Sequence, residues 1–458
     1  MKTKDLFLAS ALTLENKFYD LNYIKKWIKV QNNNVNVNIN KIDFKDLKGW
    51  NFYDEYSILK HETSKFFSIE GIDIKTNWGQ VSNWQQPIIN QPEIGYLGFI
   101  TKEFDGVLYF LLQAKIEPGN VNYVQLSPTL QATKSNYTQV HKGKTPNYLN
   151  YFTNATKNQI ILDQLQSEQG ARFLRKRNRN IIIKIEEDIK IEDNFIWLTL
   201  GQIKLLMQED NLINMDTRTV ISGISIDFDF NANFNSNNVF LNSSNKDKPL
   251  FSFDELIQFI TNRKCFYDLE VSSISLSKMK NWIIEKDCIK HVENKYFKII
   301  AAQVSIENRE VMQWTQPMVE PSQEGICAFV CKKINNVIHF IVQAKLEAGN
   351  FDIIELAPTV QCLTGNYRTD GHESLPFLKY VLNAKENQII FDTLQSEEGG
   401  RFYREQNRNL LIMSDDNLSN ELPENYIWMT LNQINTFIKY NNYFNIQARS
   451  LIAAISYI

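Results

Sequence analysis

Apolar residues in this chain cluster in short runs between turn residues. Gly95 to Gln113 (GYLGFITKEFDGVLYFLLQ) reads as two strands around an Asp105-Gly106 turn, and Gly325 to Gln343 repeats the arrangement with Asn335-Asn336 at the turn. Val121 to Leu126 and Ile353 to Leu356 read as further strands, and Ile181 to Ile185 as a buried one. Asn147 to Thr156 and Leu375 to Ala384 carry helical spacing after a proline. Thr199 to Asp210 and Thr430 to Asn441 have the spacing of amphipathic helices, each with a Thr at the N-cap. Hairpins mixed with a few helices predict an α+β fold on mixed or antiparallel sheets.

These elements occur twice. Gln113 to Tyr137 matches Gln343 to Tyr367 at 12 of 25 positions, and Gln159 to Asn180 matches Gln388 to Asn409 at 15 of 22. The register extends outward, pairing His61 with His291, Trp84 with Trp314, Pro146 with Pro376, Trp197 with Trp428 and Arg218 with Arg449. The chain is an internal duplication. It divides into a first repeat over 1–228, an Asn- and Ser-rich stretch over 229–250 that reads as an exposed linker, and a second repeat over 251–458.

Composition narrows the function. With 49 Lys and Arg against 52 Asp and Glu, the net charge is 49 − 52 = −3, so no global polycation is present to hold a nucleic-acid backbone. No apolar run approaches the 18 or so residues of a membrane span. Leu6 to Leu12 is a seven-residue apolar run, but Asp5 interrupts its basic start, so the segment reads as a helix rather than a signal peptide. The five cysteines (Cys265, Cys288, Cys327, Cys331, Cys362) form neither a disulfide framework nor a zinc pattern. They read as buried free thiols of a cytoplasmic protein. The Rossmann fingerprint, the P-loop, H-E-x-x-H and G-x-S-x-G are all missing.

What remains is polar and repeated. Lys115 and Glu117 are two apart, so on a strand they share one face, where a Lys can hold or orient a carboxylate. A cross-strand ion pair explains them as well. Ser127 to Gln131 and Ser135 to Thr138 place hydroxyls and amides in loops suited to phosphate and sugar, or to turns and caps. Gln166 to Phe173 opens a basic stretch of Arg172, Arg175, Arg177 and Arg179, whose guanidinium forks suit a diphosphate, although Arg172 can instead pair with Glu168. Trp50, Trp84 and Trp314 beside polar groups suit base stacking or core packing. His61 and His291 each follow a Lys.

At these residues the chain resembles the NDP-hexose 2,3-dehydratases of deoxysugar biosynthesis. The likeness is carried by Lys60 to Gly71, Trp84 to Pro87, Gln91 to Gly95, Gln113 to Asn120, Gln125 to Tyr137 and Arg309 to Val311, and it spans nearly the whole chain. It implies two tandem Nudix-like domains without the Nudix metal box, and a homodimeric lyase using neither metal nor redox cofactor. The implied substrate is dTDP-4-keto-6-deoxy-D-glucose, and an NADPH-dependent ketoreductase takes the product. Such a lyase removes the C3 proton and expels the C2 hydroxyl. Its proton carriers would come from Tyr137, Glu117, Lys115, His61 and His141. Substrate contacts would come from Trp50, Trp84, Ser135, Asn136, Thr138, Arg309, Trp314, Asn366, Tyr367 and Arg368. In the second repeat Gly365 replaces Ser135, Gly371 falls opposite His141, and Arg368 adds a cation, so the first repeat is expected to be catalytic and the second to bind nucleotide or support the dimer. The alternatives are a nucleotide-sugar binding protein and a residual Nudix-type hydrolase, which would need clustered carboxylates for Mg²⁺.

Overall fold

The computed structural model describes residues 3–137, 145–226, 238–243, 248–307, 312–363, 375–415 and 417–457, without the side chains of Ser135, Asn136 and Asn242. Each repeat builds a seven-stranded mixed sheet. In the first, the path runs Ile160–Ser167, Arg177–Ile185, Gly95–Phe104, Val107–Ile116, Phe195–Thr199. Arg177–Ile185 and Gly95–Phe104 are parallel, and the other neighbours are antiparallel. The second repeat copies this order from Ile389–Ser396 to Tyr426–Thr430. The fold is α+β with two similar halves.

Both hairpins form where the turn residues place them. Asp105 and Gly106 take φ of 51° and 81°, and Asn335 and Asn336 take 53° and 66°. Positive φ at both central residues matches the right-handed twist of the flanking strands, and Gly and Asn tolerate it best. Thr199 and Thr430 cap helices Leu200–Leu206 and Leu431–Ile438, each closing a capping box with Gln202 or Gln433. Both helices are shorter than their sequence spacing predicts. The helices after the prolines shrink to Leu149–Thr153 and Leu378–Leu382, because Tyr148 and Phe377 enter them in the left-handed region. The strand expected over 121–126 is Val124–Ser127, since Tyr123 turns the chain at φ 62°. That expected over 353–356 is Glu355–Ala357.

The repeats are interlocked. Two five-stranded sheets lie beside the large ones, and each takes a strand from the other repeat. Val37–Ile42 pairs with Phe297–Ile306, and Leu269–Ile274 pairs with Ser68–Thr76. Phe99, Phe110, Phe329 and Phe340 share one core, all fully buried, each contributing about 1.5–3 kcal/mol by burial. Phe173 and Phe402 meet edge to face, 5.8 Å apart, in a second shared core.

Helix Thr3–Leu12 forms as expected and buries Leu6, Phe7, Ser10 and Ala11. Within the stretch between the repeats, helix Val239–Ser243 buries Phe240 and Leu241 in the shared core. Its two apolar side chains are enough to anchor a single turn. The thiols also differ from expectation. Cys288, Cys327 and Cys331 are buried, but Cys265 is exposed at the end of helix Phe253–Phe266 and Cys362 is half-buried. No helix among the described residues is long and apolar enough to cross a membrane.

Candidate active site

A cleft of about 820 Å³ opens on the large sheet of the first repeat. Small-molecule sites run roughly 300–1,000 Å³, so it has room for a nucleotide sugar. Strand Val107–Ile116 and the residues just after it supply Gln113, Lys115 and Glu117. The paired strands Trp50–Tyr53 and Ile58–His61 supply Trp50 and His61, with Lys48 just before them, and the second repeat closes the cleft with Trp314, Gln316, Glu398 and Arg401.

The alternation of the strand brings Lys115 and Glu117 to one wall, as their spacing predicts. They are joined through Gln131 rather than directly. Lys115 Nζ donates to the Gln131 carbonyl at 3.1 Å, and Gln131 Nε2 donates to Glu117 Oε1 at 2.8 Å. Asn214 Nδ2 donates to Gln131 Oε1 at 3.1 Å, while its own Oδ1 caps helix Met215–Ser222. That helix starts at the cleft and presents Asp216, 3% exposed, into it. Among the described residues no donor hydrogen-bonds the Asp216 carboxyl. Burial pushes its pKa well above the carboxylate range, and the charges of Glu398, Glu117 and Glu168 add to this against Lys115.

Four further charged groups come from loops. Glu168 accepts from Asn178 Nδ2 at 2.6 Å, and burial raises its pKa. Lys176 donates to the Glu93 carbonyl, and burial lowers its pKa. Glu398 is half-buried on the cleft wall, its pKa raised to about 7 by loss of water; Arg401 and Lys176 oppose the rise, and Glu117 and Glu168 reinforce it. Arg401 donates from Nε to Gln91 Oε1 at 3.2 Å and sits 4.3 Å over the Phe67 ring. The stretch Gln91 to Gly95 therefore anchors an arginine of the other repeat. Four carboxyls (Glu117, Glu168, Asp216, Glu398) share the cleft with four cations (Lys48, Lys115, Lys176, Arg401). Among the described residues, the trio of potential ligands with atoms within 4.8 Å of one another is Glu285, Asp287 and Cys288, outside the cleft.

Trp50 and His61 lie edge to face, 5.5 Å apart, on the cleft wall, and His61 Nδ1 is 2.9 Å from Thr63 Oγ1. Trp314 Nε1 donates to Gln316 Oε1 at 2.9 Å, and Gln316 Nε2 donates to the Gly400 carbonyl at 2.8 Å. Trp84 makes the matching bond to Gln86, but it packs by Ile72, Ile74 and Ala348, off the wall of this cleft. Tyr137 points its hydroxyl to the Ile94 carbonyl at 3.4 Å and lies edge-on to Tyr96; it is not on the cleft wall. His141, Thr138, Arg309, Asn366, Tyr367 and Arg368 fall outside the described residues, as do the side chains of Ser135 and Asn136.

Of the basic stretch, Arg172 faces the second repeat, half-buried near Glu405, Glu347 and Glu397 with its guanidinium 4.0 Å over Phe297, rather than pairing with Glu168. Arg179 holds Asp163 through two bonds. The residues that sequence reading missed are Asp216, Lys176, Glu398 and Arg401. In the repeat register Asp216 stands opposite Gln447, Lys176 opposite Glu405 and Glu398 opposite Gln169. A comparison of ionisable positions between the copies marks three of the four.

A family model described as NDP-hexose 2,3-dehydratase matches residues 21–224 and again 253–455. A protein of Saccharopolyspora spinosa named dTDP-4-dehydro-6-deoxy-alpha-D-glucopyranose 2,3-dehydratase is 40% identical over 98% of this chain and 94% of its own length. Relatives of the same name from Amycolatopsis orientalis (39% identical, 99% of this chain and 93% of the relative) and Streptomyces violaceoruber (41%, 91% and 93%) are similar to it as well. The duplicated match and the near-full-length likeness place the chain in the NDP-hexose 2,3-dehydratase family.

Proposed function

We propose that this chain is a carbon–oxygen lyase that removes water across C2 and C3 of dTDP-4-keto-6-deoxy-D-glucose, in the cleft of the first repeat. The observation that carries the reading is one cleft holding both a carboxyl pushed towards its protonated form, Asp216, and ammonium and guanidinium groups, Lys115 and Arg401. The names of the near-full-length relatives support the same chemistry. The C4 ketone acidifies C3–H. A base takes that proton, the enolate forms at C4, and the C2 hydroxyl leaves as water. The enol product relaxes to a 3,4-diketo-2,6-dideoxy sugar nucleotide. The step needs a base, an acid near C2 and donors for the enolate oxygen.

Lys115 supplies the cationic donor for the enolate, and Glu117, held by Gln131, sets its position. His61, on the cleft wall, and His141 complete the proposed proton carriers. Trp50 and Trp314 offer ring faces to the thymine base. The remaining proposed substrate contacts are Ser135, Asn136, Thr138, Arg309, Asn366, Tyr367 and Arg368. On the family resemblance, each large sheet with its parallel central pair is read as a Nudix-like core. The same resemblance makes the protein a cytoplasmic homodimer whose product passes to an NADPH-dependent ketoreductase. The test is incubation with the 4-keto sugar nucleotide, followed by mass spectrometry. Loss of one water supports the reading, and release of a nucleoside phosphate with no dehydrated sugar overturns it.

A further inference from the structure

We infer that Asp216 and Glu398 form a catalytic acid–base pair assembled across the two repeats, with Glu398 removing the C3 proton and Asp216 protonating the departing C2 hydroxyl. This rests on the dehydratase reading above. Both carboxyls line the cleft, one from helix Met215–Ser222 of the first repeat and one from the second repeat's loop beside Arg401. Neither side chain accepts a hydrogen bond from a described residue, although the neighbouring polar groups Glu117, Glu168, Gln131 and Asn178 are all engaged within the protein. A buried carboxyl without a donor is costly unless it is protonated or meets a ligand. Sugar hydroxyls supply that ligand.

The duplication provides an internal comparison. At the equivalent places the second repeat and its partner loop carry the amides Gln447 and Gln169, both buried. The framework residues around them persist: Gln361 still donates to Glu347 at 2.8 Å, and Asn445 still donates to Gln361 at 2.7 Å. The fold therefore accepts amides at both positions, and the first cleft differs by having acids there.

The protonation states fit these roles. Asp216 is the more deeply enclosed of the two, 3% exposed, and burial with the charges of Glu398, Glu117 and Glu168 shifts it towards the protonated form against Lys115. Glu398 is raised by burial, but only to about 7, with Arg401 and Lys176 restraining it. In a shared cleft the enclosed carboxyl is suited to keep its proton, and the half-buried one near Arg401 and Lys176 is suited to give its proton up.

The step balances. Glu398 takes the C3 proton, and the C3–H electrons move to the C4 oxygen. When the C4 carbonyl re-forms, the C2–C3 double bond forms and the C2–O bond breaks with its electrons on oxygen. That oxygen takes the Asp216 proton and departs as water. The enol then returns to the ketone as Glu398 protonates C2 and Asp216 takes the proton of the C3 hydroxyl, which restores both groups.

The experiment is to compare the unaltered protein with Asp216→Asn and Glu398→Gln in D₂O with the 4-keto sugar nucleotide. Water loss, deuterium at C3 of recovered substrate, thymidine diphosphate affinity and melting temperature are measured. Each variant should lose about 10²-fold or more of turnover while keeping nucleotide affinity and melting temperature. Asp216→Asn should still exchange deuterium into C3, and Glu398→Gln should not. Near-normal turnover in either variant, or exchange surviving in Glu398→Gln and lost in Asp216→Asn, overturns the assignment. Turnover lost together with affinity and melting temperature makes the residue structural and also overturns it. Failure of the dehydratase reading itself is separate, since then the unaltered protein removes no water.

Discussion

Gly119 of the first repeat donates its backbone N–H to the carbonyl of Gly399 in the second at 2.7 Å, and Gly349 donates to Gly170 at the same distance. The first contact sits two residues after Glu117 and one after Glu398, so it sets the spacing of those cleft carboxyls. A Cβ on Gly119 would lie 1.6 Å from the Phe402 carbonyl oxygen. Gly119→Ala is expected to lower stability by about 1–3 kcal/mol and to reduce turnover, read by urea unfolding and by assay. Unchanged stability and turnover would show that the contact has slack.

Arg449 is fully buried and donates across the repeat boundary to the Ser167 carbonyl, and to the Phe444 carbonyl at 2.7 Å. Its counterpart Arg218 reaches Gln395 Oε1 at 2.7 Å and the Ser396 carbonyl. Replacing Arg449 with Met leaves buried carbonyls and Glu355 uncompensated, so a loss of about 3 kcal/mol or more is expected in denaturant unfolding. A change below 1 kcal/mol, roughly the worth of one ordinary hydrogen bond, would mean the guanidinium is dispensable.

Exchanged strands make each half incomplete. Residues 1–228 alone lack Leu269–Ile274, Glu398 and Arg401. Expressed singly, that half should be poorly folded and inactive by circular dichroism and assay. Co-expressed with 229–458, it should recover both. An active isolated first half would refute the composite cleft.

The pH dependence follows from the same groups. Glu398 must be ionised to act as base, and its pKa is near 7 instead of the ordinary carboxylate value. Activity should therefore fall as pH drops through about 7. Asp216 must be protonated, and its raised pKa, set by burial with Glu398, Glu117 and Glu168 against Lys115, gives the alkaline limb. A kcat/KM profile should be bell-shaped. A profile flat from pH 5.5 to 8 would contradict these assignments.

Local chemistry was the legible part of the chain. The Asp105-Gly106 and Asn335-Asn336 turns, the Thr199 and Thr430 caps and the shared face of Lys115 and Glu117 depend on residues a few positions apart, and sequence spacing reports them directly. The strand exchange was hidden because Val37–Ile42 and Leu269–Ile274 are short and half-polar, and nothing in their alternation names a partner 193 or more residues away. Asp216 was hidden for another reason: an Asp in the first turn of a helix usually serves the helix dipole. Glu398 and Arg401 reach the cleft only through the interlock of the repeats.

The central claim is that the cleft of the first repeat, and not its duplicate, performs the dehydration. Lys115 and Lys345 allow a matched test, because each donates to the equivalent carbonyl, Gln131 at 3.1 Å and Gln361 at 3.4 Å. Lys115→Met and Lys345→Met are assayed side by side on dTDP-4-keto-6-deoxy-D-glucose, with EDTA present and a ketoreductase with NADPH trapping the product. Lys115→Met should lose about 10²-fold or more of turnover, the scale of removing a donor to a developing oxyanion, and Lys345→Met far less. Equal losses, or a larger loss at Lys345, would contradict the account.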